Sequence, residues 1–139
     1  MPTDLDLKSV AKGAYAGGAA AGAIGIALYF AGSAMGADFK PMHPEQMMNM
    51  EKLPFFQPMV ICLLAATVSV GVLAVLGKVA GAKAWPVYLG LAGLVFLGEA
   101  YAPFWAFADG KTIATLEIMH IPATLGIVGG IWMHAIKGR

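Results

Sequence analysis

The chain has 139 residues, of which 59% are hydrophobic and only 12% are charged, and its mean hydropathy is +0.74. This charged fraction is about half the ~25% that is typical of soluble domains, and roughly 82 hydrophobic residues match the ~80 that four membrane spans require. The net charge of +1 and the lack of a long basic run exclude the electrostatic footprint of a nucleic-acid-binding protein. The composition therefore predicts an integral membrane protein with no nucleic-acid partner.

Four long apolar segments follow one another and are predicted to span the membrane, at residues 10–32, 57–79, 84–107 and 112–136. Each has about 23 to 25 residues, which at a 1.5 Å rise per residue cross a ~30 Å hydrocarbon layer with some tilt. The segments are continuously apolar, without the alternation that is typical of barrel strands. We therefore expect one all-α domain over residues 1–139, an integral membrane four-helix bundle with a long loop at residues 33–56.

Positively charged residues near the span ends predict the orientation, because such residues tend to stay on the cytoplasmic side during insertion. One side of the membrane would carry six of them: Lys8, Lys12, Lys78, Lys83, Lys137 and Arg139. The other side would carry three: Lys40, Lys52 and Lys111. Both termini are therefore expected in the cytoplasm, and the 33–56 loop is expected outside.

Small residues recur at intervals of four along the first predicted span, and the pattern returns in the fourth. One row consists of Gly13, Gly17, Ala21 and Gly25, a second of Gly18 and Gly22, and the fourth span has Gly126 and Gly130. Such faces let the backbone of another helix approach closely, which favours helix association in lipid. The spacing leaves open whether the neighbouring helix belongs to the same chain or to another subunit.

Three ionisable residues lie inside the predicted spans, where their energetic cost makes them functional candidates: Glu99, Glu117 and His120. Counting from the turn between the third and fourth spans places Glu99 ~12 Å deep and His120 ~13 Å deep on adjacent helices. Glu117 and Thr124 share a helical stripe with His120. We therefore predict an intramembrane polar cluster of these four residues. Three roles stay open for it: a hydrogen-bonded clasp between helices, handling of protons or ions, and metal binding.

The long loop contains thioethers and an imidazole, ligand types that suit cuprous copper. The candidate ligands are Met42, His43, Met47, Met48 and Met50. The alternative is a short amphipathic segment whose methionines enter the membrane interface or grip a partner. Copper is therefore the one cofactor hypothesis, and otherwise no cofactor is expected.

Haem is not expected, although His120 and His134 have a spacing that resembles helices carrying two stacked haems. Bis-histidine ligation needs partner histidines on another helix, and the remaining histidine, His43, lies in the loop. His134 is near Lys137 and Arg139, which places it at the inner headgroup boundary.

Several short motifs resemble a family of small four-span bacterial membrane proteins that is known only as a domain of unknown function, numbered 6069. They are Leu28-Tyr29-Phe30 and Gly36-Ala37-Asp38-Phe39 at the exit of the first span, and Asp109-Gly110-Lys111-Thr112, Leu116 and Met119-His120 in the fourth. The Met-rich stretch of the loop does not belong to this pattern. The resemblance implies a four-span bundle in a bacterial plasma membrane with His120 as a recurrent polar position, and it implies no activity.

No motif of the chain indicates an enzyme: there is no phosphate-binding loop with its lysine, no Gly-x-Ser-x-Gly elbow and no Cys-x-x-Cys pair. Cys62 is expected to pack inside the second span. We therefore expect a non-enzymatic accessory or scaffolding subunit, in contact with lipid, that packs against other membrane proteins or copies of itself. The alternative is a protein that handles protons, ions or copper through the intramembrane polar cluster and the Met-rich loop.

Overall fold

The computed structural model describes residues 5–137. Its four long helices are α1 (Leu7–Ala34), α2 (Gln57–Val79), α3 (Ala84–Ala106) and α4 (Gly110–Ile131), and a π-helical turn, Trp132–Ile136, extends α4. All four are long and apolar enough to cross a membrane. The expected all-α, four-span membrane protein is confirmed.

Two aspartates set the beginnings of α1 and α4. The Asp6 carboxylate accepts hydrogen bonds from the backbone N–H groups of Lys8 and Ser9, at 3.1 and 3.3 Å. Asp109 does the same for α4, because its carboxylate accepts a hydrogen bond from the Thr112 N–H at 2.8 Å. Each carboxylate satisfies backbone donors that lack a partner in the first helical turn. Both helices therefore begin before the apolar segments predicted from hydropathy.

Each helix contacts its chain neighbours, α1 also contacts α4, and α2 contacts α4 across the bundle. The closest pairs are α1 with α4 and α1 with α2, whereas α3 contacts α2 and α4 more sparsely and has no close backbone approach to α1. Because successive helices run in opposite directions, residues 35–56 and the α3–α4 turn lie at one end of the bundle, which we call the loop side. The described ends of the chain and the α2–α3 turn lie at the other.

Glycines bring α1 and α4 into backbone contact. A Cβ atom built on Gly13 would collide with the carbonyl oxygen of Gly130, and one built on Gly17 would collide with that of Gly126. The reverse holds for a Cβ on Gly130, which would meet the Gly13 carbonyl. These predicted small-residue rows therefore lie at a helix contact within the chain.

The second row of α1 faces α2 in the same way. A Cβ on Gly18 would lie 3.1 Å from the Cys62 carbonyl oxygen, and one on Gly22 would lie 2.8 Å from the Met59 Cα. Gly25 packs against Pro58, whose Cβ would be 2.6 Å away. Glycine on two sides thus lets α1 approach both neighbours closely, which in lipid supplies the packing that holds helices together.

The loop at residues 35–56 folds back over the end of the bundle instead of extending into solvent. Its Met42 N–H donates to the Ala106 carbonyl at 2.8 Å, and its Leu53 N–H donates to the Phe39 carbonyl at 3.0 Å. The Tyr29 hydroxyl of α1 donates to the Leu53 carbonyl at 2.7 Å. Phe39 is fully buried and stacks on Tyr29 with ring centroids 4.2 Å apart. The loop therefore covers the end of the bundle with apolar residues. We call the cluster that contains Tyr29, Phe39 and Leu53 the loop-side apolar cluster.

Candidate functional site: a cavity between the helices

A cavity of about 330 Å³ lies in the loop-side half of the bundle and is lined by all four helices and by the loop. Its volume falls within the range of about 300 to 1,000 Å³ that is typical of small-molecule sites. The residues of α1 that line it run from Ala21 to Tyr29, and Met47, Leu53 and Pro54 line it from the loop. The loop that folds over the bundle is therefore also one wall of the cavity.

Small side chains and two prolines explain why the helices leave this space. Four alanines and a glycine line the walls: Ala21, Ala102, Ala106, Ala123 and Gly25. Pro103 lies inside α3 and Pro122 inside α4. Proline has no N–H, so Pro103 cannot donate a hydrogen bond to the Glu99 carbonyl one turn before it. The wall of α3 therefore combines a helix interruption with the one acidic residue of the cavity.

Besides Tyr29, whose hydroxyl is bonded to the Leu53 carbonyl, four lining residues bring polar or ionisable groups to this otherwise apolar space: Gln57 and Cys62 of α2, Glu99 of α3 and His120 of α4. Glu99 and Cys62 lie on neighbouring helices and line the same space. The residues come from three helices, so the site exists only when the bundle is assembled. A few convergent polar groups in an apolar pocket are the usual composition of a ligand site.

Two of these polar residues have buried atoms without a hydrogen-bond partner among residues 5–137: Gln57 Oε1 and His120 Nδ1. The Glu99 carboxylate also forms no hydrogen bond or ion pair with any described residue, although its oxygens are not among the fully buried atoms. Buried polar groups are normally paired, because an unpaired one costs about 1–3 kcal/mol. The cavity therefore combines apolar walls with unused hydrogen-bonding capacity.

The structure brings together two of the four members of the predicted polar cluster. Glu99 and His120 line the same cavity, whereas Glu117 and Thr124 are not among its lining residues. Glu117 Oε1 is buried without a partner among the described residues. No hydrogen bond of the described chain joins Glu99 to His120, so these two residues share the cavity without a direct hydrogen bond between their helices. Within the same residues, no three side chains among His, Cys, Asp and Glu are grouped to hold a metal ion.

The candidate copper ligands of the loop lie in different surroundings. Met48 is 85% exposed and Met42 is 43% exposed, whereas Met47 and Met50 pack against the loop-side apolar cluster. The His43 imidazole pairs with Glu45 and its ring lies 5.9 Å from that of Trp105. Met47 alone among the five lines the cavity. The copper hypothesis stays a prediction.

Sequence reasoning did not include Gln57, Cys62 and Met47 in the intramembrane site. Gln57 is the first residue of α2 and resembles a span boundary, and Cys62 resembles a packing residue, which it also is, since it is buried against α1. The signal that could have identified Gln57 is its polar side chain directly before Pro58, on a helix that faces the small residues of α1. Met47 enters the site only because the loop folds back.

A polar latch fastens the loop beside the cavity. The Phe39 N–H donates to the Thr112 hydroxyl at 2.9 Å, and the Asp38 N–H donates to the Asp109 carboxylate at 3.3 Å. The Thr112 hydroxyl in turn donates to Asp109 at 2.6 Å. Hydrogen bonds from Thr112, and a weaker one from Asp38, hold the pKa of Asp109 below its ordinary value of 3.8. We call Asp38, Phe39, Asp109 and Thr112 the latch, because they join the loop to the beginning of α4.

Comparison with known proteins identifies the family of this chain. The family model described as a family of unknown function, DUF6069, matches residues 6–138. Neither a search of curated proteins nor a search of solved structures returns a match. Because the family match covers most of its length, the chain belongs to the DUF6069 family.

Proposed function

We propose that this member of the DUF6069 family is a non-enzymatic membrane protein that binds a small, largely apolar molecule inside the bilayer. The observation that carries the proposal is the cavity with its unpaired polar atoms on Gln57 and His120. The proposed function keeps Glu99 and His120 in the site, as in the alternative of proton, ion or copper handling, and assigns them to the binding of a molecule. Binding without chemistry is favoured because no hydrogen-bonded nucleophile and base line the cavity among residues 5–137.

The ligand would enter from the membrane or from the loop side. Residues of the loop form part of the wall, and the latch holds that loop against α4. An apolar molecule already concentrated in lipid needs no aqueous channel to reach a cavity at this depth. The unpaired atoms would then select, among apolar molecules, those with a polar group at one end.

Filling the cavity tests this function. Ala123→Phe places a ring in the space that Ala123 lines, and we expect it to weaken binding of the probe 4-phenylbutan-1-ol at least about tenfold while the melting temperature holds or rises. The measurement is equilibrium binding of the tritiated alcohol to protein in phosphatidylcholine nanodiscs, corrected for uptake by empty discs. Wild type should show one saturable site per chain.

The matched control is Leu125→Phe, two residues along the same helix at a side chain that is 67% exposed. It adds a ring of the same kind on the lipid-facing surface, and we expect binding to equal that of wild type. Equal binding by wild type and Ala123→Phe, or no saturable binding by wild type, would contradict the proposed function.

The accessory-subunit role is the second candidate, and one observation favours it. Gly90 and Gly93 of α3 have open space where a Cβ would be, whereas the small residues of α1 are occupied by α2 and α4. A partner helix in the membrane could approach α3 there, and the partner would be another subunit or a second copy of this chain. Recovery of the protein from native membranes as a lone monomer would count against this role.

We also propose that both termini face the cytoplasm of a bacterial plasma membrane, on the basis of the lysine distribution. The described lysines separate as expected, with Lys40, Lys52 and Lys111 on the loop side and the others on the opposite side. An alkaline phosphatase fusion after Lys137 should be inactive, and one inserted after Glu45 should be active. The reverse pattern of activities would overturn this orientation.

A further inference from the structure

Glu99 is the one acidic residue that lines the cavity, and its carboxyl group has no partner among the described residues. It lies within a membrane-spanning helix, and no described residue forms an ion pair or hydrogen bond with it. None of the residues that line the cavity is a lysine or an arginine. An ionised carboxylate in low-dielectric surroundings is costly unless a positive charge is close to it. The site therefore lacks a positive charge to match its one acidic group.

His120 does not supply that charge in the arrangement observed. Its imidazole is the one lining group that could become a cation at neutral pH, yet it forms no ion pair with Glu99 among the described residues. With the proton on Nε2, the buried Nδ1 of His120 is an acceptor. In that tautomer the imidazole adds one acceptor, Nδ1, and one donor, the Nε2–H.

Several hydrogen-bond acceptors of the cavity residues have no partner among the described residues, beside the donors of the Gln57 amide nitrogen and His120 Nε2. The acceptors are the Glu99 carboxylate, Gln57 Oε1 and, with the imidazole proton on Nε2, His120 Nδ1. They come from three helices around one space. A ligand that satisfies them must bring N–H or O–H donors, and its best partner for Glu99 is a positive charge.

The apolar walls specify the rest of the ligand. Tyr29 and Phe107 contribute aromatic rings, and Met47 and Met119 contribute thioethers. Aromatic faces attract cations, and methionines adapt to irregular apolar shapes. The walls therefore fit an apolar body attached to a single cationic head.

We propose that the cavity binds an amphiphilic organic cation, an ammonium group on an apolar body, with the Glu99 carboxylate as its counter-ion and Gln57 and His120 as acceptors for its N–H groups. This inference rests on the proposed function, because it names the ligand class of the same cavity. It assigns to Glu99 a role in charge selection that a general apolar site would not need.

Three probes of nearly identical shape test the charge preference at pH 7: 4-phenylbutylamine, 4-phenylbutan-1-ol and 4-phenylbutyrate. Nanodiscs of phosphatidylcholine keep surface charge out of the comparison, and uptake by empty discs is subtracted. We expect the amine to bind about tenfold more tightly than the alcohol, because only the ammonium brings a positive charge to the Glu99 carboxylate, and we expect the carboxylate probe to bind most weakly.

Glu99→Gln removes the charge and keeps the shape, so it should bring the affinity for the amine to within about twofold of that for the alcohol, both measured on the same variant. The matched control is Glu117→Gln, which removes a carboxylate of α4 that does not line the cavity and should preserve the preference. An amine preference that survives Glu99→Gln, or an alcohol that binds wild type as tightly as the amine, overturns the inference. The proposed function fails separately, if none of the three probes binds saturably or if Ala123→Phe leaves their binding intact.

Discussion

Gly17→Ala should destabilise the bundle by about 3 kcal/mol, the upper end of the range for overpacked interiors. The added methyl would overlap the backbone carbonyl of Gly126, and neither backbone can rotate away as a side chain could. The helices α1 and α4 would have to separate, which also opens the Gly13–Gly130 contact one turn along. Unfolding by sodium dodecyl sulfate, followed by circular dichroism in mixed micelles, measures the change.

Gly129→Ala is the matched control for this substitution. It adds the same methyl to α4, but at a position where a Cβ would meet nothing within 4 Å. We expect its stability to equal or slightly exceed that of wild type, because alanine favours a helix over glycine by up to ~1 kcal/mol. Equal stability of the Gly17 and Gly129 variants would show that the α1–α4 contact is not as close as described.

Thr112→Val should loosen the loop and cost about 2 kcal/mol. Thr112 and Phe39 are both fully buried, and the Thr112 hydroxyl accepts the Phe39 N–H at 2.9 Å. Valine has almost the same shape but leaves that buried N–H without a partner. Hydrogen exchange of the Phe39 amide should therefore accelerate by roughly 30-fold, the factor that corresponds to this free energy.

Thr112→Ser keeps the hydroxyl and is the control, so its Phe39 amide should exchange much closer to the wild-type rate.

The latch should also respond to pH in one direction. The folded chain lowers the pKa of Asp109. The stabilisation of the latch by the Asp109 carboxylate is therefore complete above pH 3.8, the ordinary pKa, and is lost as the pH falls below that value. After correction for intrinsic exchange rates, Phe39 protection should fall only in that acidic range, and Asp109→Asn should abolish the change. Protection that is independent of Thr112 and of Asp109 would contradict the latch.

The fold class follows from the sequence because hydropathy is a local property. In a membrane, each span must satisfy its own backbone hydrogen bonds, so a continuous apolar run of sufficient length specifies a helix without knowledge of its neighbours. The ends of the helices were less evident, since they depend on capping. Asp6 and Asp109 accept hydrogen bonds from the first turns of α1 and α4, and hydropathy does not register such contacts.

Part of the site could also be predicted from the sequence, because that part depends on a local property. Depth along a helix can be counted from the sequence, and the count places Glu99 and His120 at matching depth. Both residues line the cavity. The rotation of each helix about its axis cannot be counted, because it is set by which faces pack. Glu117 shares a stripe with His120 in sequence, yet only His120 lines the cavity. The return of the loop, which brings Met47 to the wall, depends on long-range hydrogen bonds such as Phe39 to Thr112.

The glycine rows show how an ambiguity of sequence is resolved by packing. Their spacing is equally compatible with a contact inside the chain and with one between subunits. In the structure, Gly13 and Gly17 of the first row contact α4, whereas Gly25 of that row and the whole second row contact α2. An interaction with a partner protein would therefore have to use another face, and open glycines are present on α3 at Gly90 and Gly93, on α2 at Gly71 and on α4 at Gly129.

Photolabelling shows whether a ligand occupies the space between the four helices. A diazirine derivative of 4-phenylbutan-1-ol would be activated on the nanodisc-embedded protein, and the labelled residues would be located by mass spectrometry. We expect labels within 99–106 of α3 and 116–123 of α4, and we expect this labelling to be suppressed by unlabelled alcohol and to disappear in Ala123→Phe. Labels confined to the exposed face of α3, at Leu94 and Leu97, and unaffected by that substitution would contradict occupancy of this space.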